Sequence, residues 1–137
     1  MRARTRRIVS LLAVAAFLTP GLMVSQPQAK RPLVLVVYAD WCPLCQKLKP
    51  VLALINDNYK DRIRFVRLDV TSEATAAKAR QQARSLGLEP FFDKYQGTTS
   101  LVVIQDASGH EIFRAVHDYD FQHYTTVLDQ ELRPRRE

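Results

Sequence analysis

Leu33-Val34-Leu35-Val36-Val37-Tyr38 runs directly into Ala39-Asp40-Trp41-Cys42-Pro43-Leu44-Cys45, and the change of pattern at that junction decides how the chain is read. The first six residues are apolar without alternation and rich in valine, which suits a strand buried on both faces in the middle of a sheet. From Pro43 to about Tyr59 the period changes: Leu44, Leu48, Val51, Leu52, Ile55 and Tyr59 recur at helical spacing, while Lys47, Lys49, Asn56 and Asp57 fall elsewhere. A strand followed by a helix delivers Cys42 to the sheet's C-terminal edge and to the helix cap. Pro43 then lies in the first turn, where proline is tolerated. Cys45, in register with Leu48, Leu52 and Ile55, is expected to point inward. Pro50 removes a hydrogen bond inside this helix and should bend it.

Cys42 and Cys45 are the two cysteines of the chain. As a structural staple they would be poorly spaced, because closing so small a loop is worth only about 2 kcal/mol in the chain-entropy model, against about 4.7 for a hundred-residue loop. As a dithiol that opens and closes, the spacing makes sense: the second sulfur waits within reach of any mixed disulfide formed by the first. We therefore read the pair as a redox site. Cys-x-x-Cys also begins many zinc sites, but those need further ligands, and there is no third cysteine. His110, His117 and His123 are read as scattered surface residues, so no metal ligands and no cofactor are assigned.

The formal charge of +6 looks at first like a nucleic-acid signal. Its location argues otherwise. Residues 1–31 hold six basic residues, Arg2, Arg4, Arg6, Arg7, Lys30 and Arg31, and no acid, which leaves 14 basic and 14 acidic residues from Pro32 onward. The body is neutral, and no nucleic-acid partner is expected. The N-terminal arginines precede Ile8 to Leu18, where only Ser10 is polar, and then Thr19-Pro20-Gly21 breaks the run. That is the layout of a secretory signal.

An Ala-x-Ala cleavage pattern is missing, with Ser25 and Ala29 the nearest ends. Left uncleaved, Ile8 to Val24 is at the lower limit of length for crossing a bilayer. Residues 1–25 are therefore expected to be a signal peptide or an N-terminal membrane anchor. Residues 26–32 are read as a polar tether, 33–132 as the domain and 133–137 as a charged tail. The protein is expected to work outside the cytoplasm, periplasmic or secreted, with a membrane tether open. Thr5-Arg6-Arg7 is a weak twin-arginine signal. No cysteine stands between the apolar run and Cys42, so a lipid-modified N-terminal cysteine is not expected.

Along the domain, Ile63 to Val70 reads as a second strand nearer the sheet edge. Thr71 or Ser72 can cap a following alanine-rich helix to Leu86, with Glu73 in its first turn and Gly87 in the C-terminal αL position. Leu88 to Thr99, with Pro90-Phe91-Phe92 and Tyr95, reads as a loop whose aromatics form a small satellite core or a substrate-contacting rim. Ser100 to Gln105 and Glu111 to Val116 read as strands of an antiparallel hairpin through Asp106-Ala107-Ser108-Gly109. Asp118 or Asp120 can cap a last helix through Leu132. The expected class is α/β, a central mixed four-stranded sheet flanked by helices.

This order, with Trp41-Cys42-Pro43-Leu44-Cys45 at the end of the first strand and Pro50 five residues beyond Cys45, resembles the thioredoxin superfamily over roughly Pro32 to Leu132. Tyr38-Ala39-Asp40-Trp41-Cys42 is particularly similar to membrane-tethered and periplasmic thioredoxin-like proteins, including the thioredoxin domain of the transmembrane disulfide reductase DsbD. The resemblance implies a thioredoxin-like fold and a thiol-disulfide oxidoreductase in which Cys42 attacks and Cys45 resolves. Trp41, Pro43, Thr98 and Thr99 would contact substrate. The implied partners are disulfide-containing or dithiol proteins and an unidentified redox partner.

The chain departs from the family pattern twice. Thr99 stands where the family usually has a cis-proline; a non-proline cis bond costs about 3 to 4 kcal/mol, so a trans or altered loop is expected, and Thr99 could instead bring a hydroxyl near Cys42. Val36 stands where cytosolic thioredoxins bury an acid, so Cys45 must lose its proton by another route. Two other readings remain open. One is a thioredoxin-fold chaperone holding Cu(I) through the two thiolates, an ion that tolerates two sulfur ligands. The other is a non-catalytic interaction module of the same fold.

Overall fold

The computed structural model describes residues 31–134. The signal or anchor assigned to residues 1–25, most of the tether and the end of the charged tail lie outside the described residues. Among the described residues, no helix is long and apolar enough to cross a membrane.

Eight elements follow in order: β1 (Leu33–Tyr38), α1 (Pro43–Tyr59), β2 (Arg64–Asp69), α2 (Glu73–Ser85), α3 (Glu89–Tyr95), β3 (Leu101–Gln105), β4 (Glu111–Val116) and α4 (Phe121–Glu131). The four strands form one sheet in the order β2-β1-β3-β4. β1 pairs parallel with β2 through the α1 crossover, and antiparallel with β3, which pairs antiparallel with β4. The unbroken apolar run is thus a central strand, and all six of its residues are buried. This is the mixed four-stranded α/β sheet expected from the sequence.

The alternation within β1 divides the core. Val34, Val36 and Tyr38 pack with Cys45, Leu48 and Ile55 of α1 and with Tyr124 and Leu128 of α4. Leu33, Leu35 and Val37 pack with Ala79 and Ala83 of α2 and with Phe92 of α3. Burying a Val or Leu side chain fully is worth about 1.5–3 kcal/mol relative to leaving it exposed, so this one strand anchors both helical layers. Gly87, at φ +72, reverses the chain after α2 in the αL region that glycine enters without a Cβ clash.

One expectation is corrected. Leu88 to Thr99 is not a loop throughout, because Glu89–Tyr95 is α3. Proline sits in its first turn, where a missing N–H is no loss, and Glu89 meets the positive end of the helix. Phe91 and Tyr95, four residues apart, bring their ring centroids to 5.0 Å. Phe92 is fully buried, and Phe91 and Tyr95 pack beside it. These aromatics belong to the core of one sheet face, not to a rim around the cysteines.

Candidate active site

Cys42 lies four residues beyond the end of β1 and caps α1. Its backbone is extended (φ −86°, ψ 111°), and its sulfur accepts the N–H of Cys45 at 3.3 Å. A sulfur in that place meets unpaired helix N–H groups and the positive end of the macrodipole. Cys45 lies one turn inward and is 0% exposed, whereas Cys42 keeps 5%. Both are free thiols. The accessible edge belongs to Cys42.

The second donor to Cys42 comes from far along the chain. The Thr99 hydroxyl donates to Cys42 Sγ at 3.2 Å. All peptide bonds among the described residues are trans, and Ser100, next to Thr99, takes φ 61°. Backbone bonds pin both sides of Thr99: Thr98 N–H donates to Tyr95 C=O at 2.8 Å, and Ser100 N–H to Val37 C=O at 2.9 Å. Thr98 therefore ties this loop to the end of α3. Pro43 is exposed at the start of α1.

These surroundings separate the two thiols. Burial pushes the Cys42 thiol up, but hydrogen bonds from Cys45, from the Thr99 hydroxyl and from the N–H groups of Cys45 and Leu44 outweigh it, and its pKa falls below the usual thiol value. Burial pushes the Cys45 thiol up, and its hydrogen bond to Cys42 and the Cys42 charge push the same way. Since thiolates alkylate and thiols do not, iodoacetamide should modify Cys42 along a pH curve with its midpoint below the ordinary 9.0, and Cys45 only at higher pH. Mass mapping of the alkylated cysteines across pH checks this; coincident midpoints would contradict the asymmetry.

Beneath the pair the core is aliphatic. Val36 and its cross-strand partner Val102 are fully buried on the same face as Cys45. No carboxylate stands at Val36 to take the Cys45 proton.

Trp41 is 62% exposed, yet its position is held: the indole N–H donates to the Thr71 carbonyl at 3.0 Å. The Thr71 hydroxyl oxygen accepts the Asp40 N–H at 2.9 Å, and Asp69 in turn accepts the Thr71 N–H at 2.9 Å. The β2–α2 connection thus straps the segment before the cysteines. Ser72, in a reciprocal capping box with Thr75, caps α2 and leaves Thr71 free for this role. In the sequence Thr71 stands out only as a possible cap, since nothing local marks a threonine for a bond to Asp40. Thr71→Val should cost about 1 kcal/mol, the usual worth of one hydrogen bond, in chemical denaturation followed by Trp41 fluorescence; an unchanged midpoint would remove the strap.

Asp40 is exposed, and its carboxylate accepts the Tyr38 hydroxyl at 2.6 Å. Gln46 adds bonds to the Tyr38 hydroxyl at 3.2 Å and to the Asp40 carbonyl at 2.7 Å. His110, His117 and His123 are all exposed, and His123 pairs with Asp118 at 2.8 Å. Among the described residues, no three His, Cys, Asp or Glu side chains gather as a metal-binding group.

A family model described as Thioredoxin matches residues 23–83. The chain is similar to "Thioredoxin-like protein HCF164, chloroplastic" of Oryza sativa subsp. japonica, at 37% identity over 59 residues, covering 43% of this chain and 21% of that one. It is also similar to "Thiol:disulfide interchange protein TxlA" of Synechococcus elongatus, at 40% identity over 43 residues, 31% of this chain and 22% of that one. The aligned part thus spans about a fifth of these curated relatives. Among solved structures, a thioredoxin family thiol:disulfide interchange protein from Chlorobium tepidum superposes with a TM-score of 0.53 at 15% identity, covering 76% of this chain and 81% of that one. That likeness speaks for the fold. Strand order and these matches together show a thioredoxin-like α/β fold, and the stretch that the family model matches carries both Cys42 and Cys45.

Proposed function

We propose that the chain is an extracytoplasmic thiol-disulfide oxidoreductase that exchanges disulfides with protein partners through Cys42 and Cys45. The observation that carries this reading is the placing of Cys42 at the cap of α1, almost buried and lowered in pKa, with a fully buried Cys45 raised in pKa one helical turn inward. In the reductive direction, the Cys42 thiolate attacks one sulfur of a partner disulfide. A Cys42–partner bond forms, and the other partner sulfur leaves as a thiolate. Cys45 then loses its proton and attacks Cys42 Sγ, forming the Cys42–Cys45 bond and releasing the second partner thiolate. Two electrons pass from the dithiol to the partner; a redox partner of the same chemistry restores them.

Thr98 and Thr99, with Trp41 and Pro43, form the proposed contact surface for the partner's backbone and side chains. With Val36 beneath Cys45, the proton leaves through water or through the departing partner thiolate. Residues 33–132 act as the working domain, and residues 1–25 export or anchor it, as in the tethered thioredoxin-like proteins that Tyr38–Cys42 resembles. The basic arm and short apolar run at the N-terminus support that placement.

The test is the reduction potential of the Cys42–Cys45 couple in the purified protein, together with its turnover of insulin disulfides. A reversible two-electron couple with turnover is the expected result. A pair that neither cycles nor exchanges would overturn the reading, and tight Cu(I) binding without turnover would move the assignment to a metal-holding protein of the same fold.

A further inference from the structure

We propose that the Thr99 hydroxyl is a built-in donor that holds Cys42 as a thiolate, and that it thereby biases the dithiol toward its reduced form and the site toward oxidising its partners. The inference rests on the oxidoreductase reading and adds a direction to it.

The geometry is specific. Thr99 lies 57 residues from Cys42 in sequence, yet its hydroxyl is 3.2 Å from the sulfur. The loop is not free to carry the hydroxyl away, because Thr98 N–H is bonded to Tyr95 C=O and Ser100 N–H to Val37 C=O. Ser100 is also bonded through its carbonyl to His117 N–H at 3.1 Å. A donor held in place on both sides loses little conformational entropy when the sulfur ionises. Proline at this position would supply no hydroxyl.

The donors on Cys42 other than Thr99 are the Cys45 thiol and the N–H groups of Cys45 and Leu44, all from α1 itself. Thr99 is the contribution from outside the helix. Its neighbour offers Cys45 no matching hydroxyl bond: Ser100 Oγ is buried with no hydrogen-bond partner. Thr99 thus favours one of the two sulfurs.

The direction follows from the exchange chemistry. When the Cys42–Cys45 disulfide oxidises a partner dithiol, a partner thiolate attacks Cys42 Sγ, a Cys42–partner bond forms, and Cys45 leaves and takes up a proton. The second partner thiolate attacks the partner sulfur of that bond, the partner's own disulfide forms, and Cys42 leaves as a thiolate onto the Thr99 hydroxyl. A stabilised thiolate leaves faster, and stabilising the reduced form makes the couple more oxidising. Two electrons move from partner to enzyme, and a disulfide-bearing protein of more oxidising potential resets the pair.

The test compares the full chain with Thr99→Val, Thr99→Ala and Thr99→Ser. One readout is the pH profile of Cys42 alkylation by iodoacetamide. The other is the equilibrium constant of the couple with glutathione, measured above the Cys42 pKa and below that of Cys45. Both variants lacking the hydroxyl should raise the alkylation midpoint, cutting the thiolate fraction on its acid side by roughly fivefold to tenfold, the scale of one hydrogen bond to a charged group. The glutathione equilibrium should shift toward the disulfide in the same proportion, tenfold being 29.6 mV for a two-electron couple. Thr99→Ser should behave as the parent. Parental profiles in Thr99→Val and Thr99→Ala, or a Thr99→Ser profile matching Thr99→Val, would overturn the proposal. Alkylation needs no protein partner, so a parent that fails to turn over insulin would sink the oxidoreductase reading while leaving the Thr99 result readable.

Discussion

Cys42→Ser is expected to lower insulin-disulfide reduction by roughly three orders of magnitude or more, the scale seen when an enzyme loses its nucleophile. Cys45→Ser is expected to stop turnover at a different point. Serine at position 42 removes the less buried of the two cysteine sulfurs, and a hydroxyl does not ionise near neutral pH to replace it. Cys45 cannot substitute, because it is fully buried and its thiol is held in the protonated form. With Cys45 replaced, Cys42 still attacks, and no second thiol stands one turn away to release the partner. Mixed disulfides should then accumulate on Cys42 and dissolve on adding a reductant, visible as reductant-sensitive high-mass bands after the variant is exposed to a cell extract. Equal residual turnover in both variants, without trapped partners, would mean that the two sulfurs do not divide the work in this way.

Phe92→Ala is expected to destabilise the domain by about 3–5 kcal/mol, the range for deleting a fully buried aromatic ring. That is a large share of the roughly 5–15 kcal/mol that holds a typical domain together. Phe92 is 0% exposed and joins α3 to the face formed by Leu33, Leu35 and Val37. Arg80 of α2 lies over its ring at 5.2 Å and also bonds Asp93 of α3. The loss should appear in urea denaturation as a lower midpoint with an unchanged slope. Because Thr98 bonds the end of α3, a loosened helix should also disturb the loop carrying Thr99. A cost below about 1 kcal/mol would show that α3 does not depend on this ring.

The two sets of residues behind these predictions differ in how they can be read from sequence. Cys42 and Cys45 are legible because everything that distinguishes them is local. A six-residue apolar run needs burial on both faces, proline fits the first helical turn, and the period of α1 turns Cys45 inward with Leu48 and Ile55. The central place of β1, the edge place of β2 and the β3–β4 hairpin follow in the same way, from unbroken apolarity, alternation and turn residues. α3 was hidden by its length. Seven residues are too few to show a period, and Pro90 reads as a loop marker until the helix around it is known.

The sequence by itself determined the strand and helix that bring a cysteine to a sheet edge and set a second one behind it, because dihedral preference and hydrophobic period act within a few residues. Set beside the family that it resembles, it also places Thr99 and Val36 where that family usually has a proline and, in cytosolic members, a buried acid. Only the tertiary structure decided what stands around the sulfurs. Thr99 reaches Cys42 across 57 residues, and Thr71 reaches Asp40 and Trp41 across 31 and 30. Such contacts depend on the register of β1 against β3 and on the course of the β2–α2 connection. Neither leaves a periodic trace, since a single hydroxyl bond is worth about 1 kcal/mol, while the buried strands that position it are worth many times more.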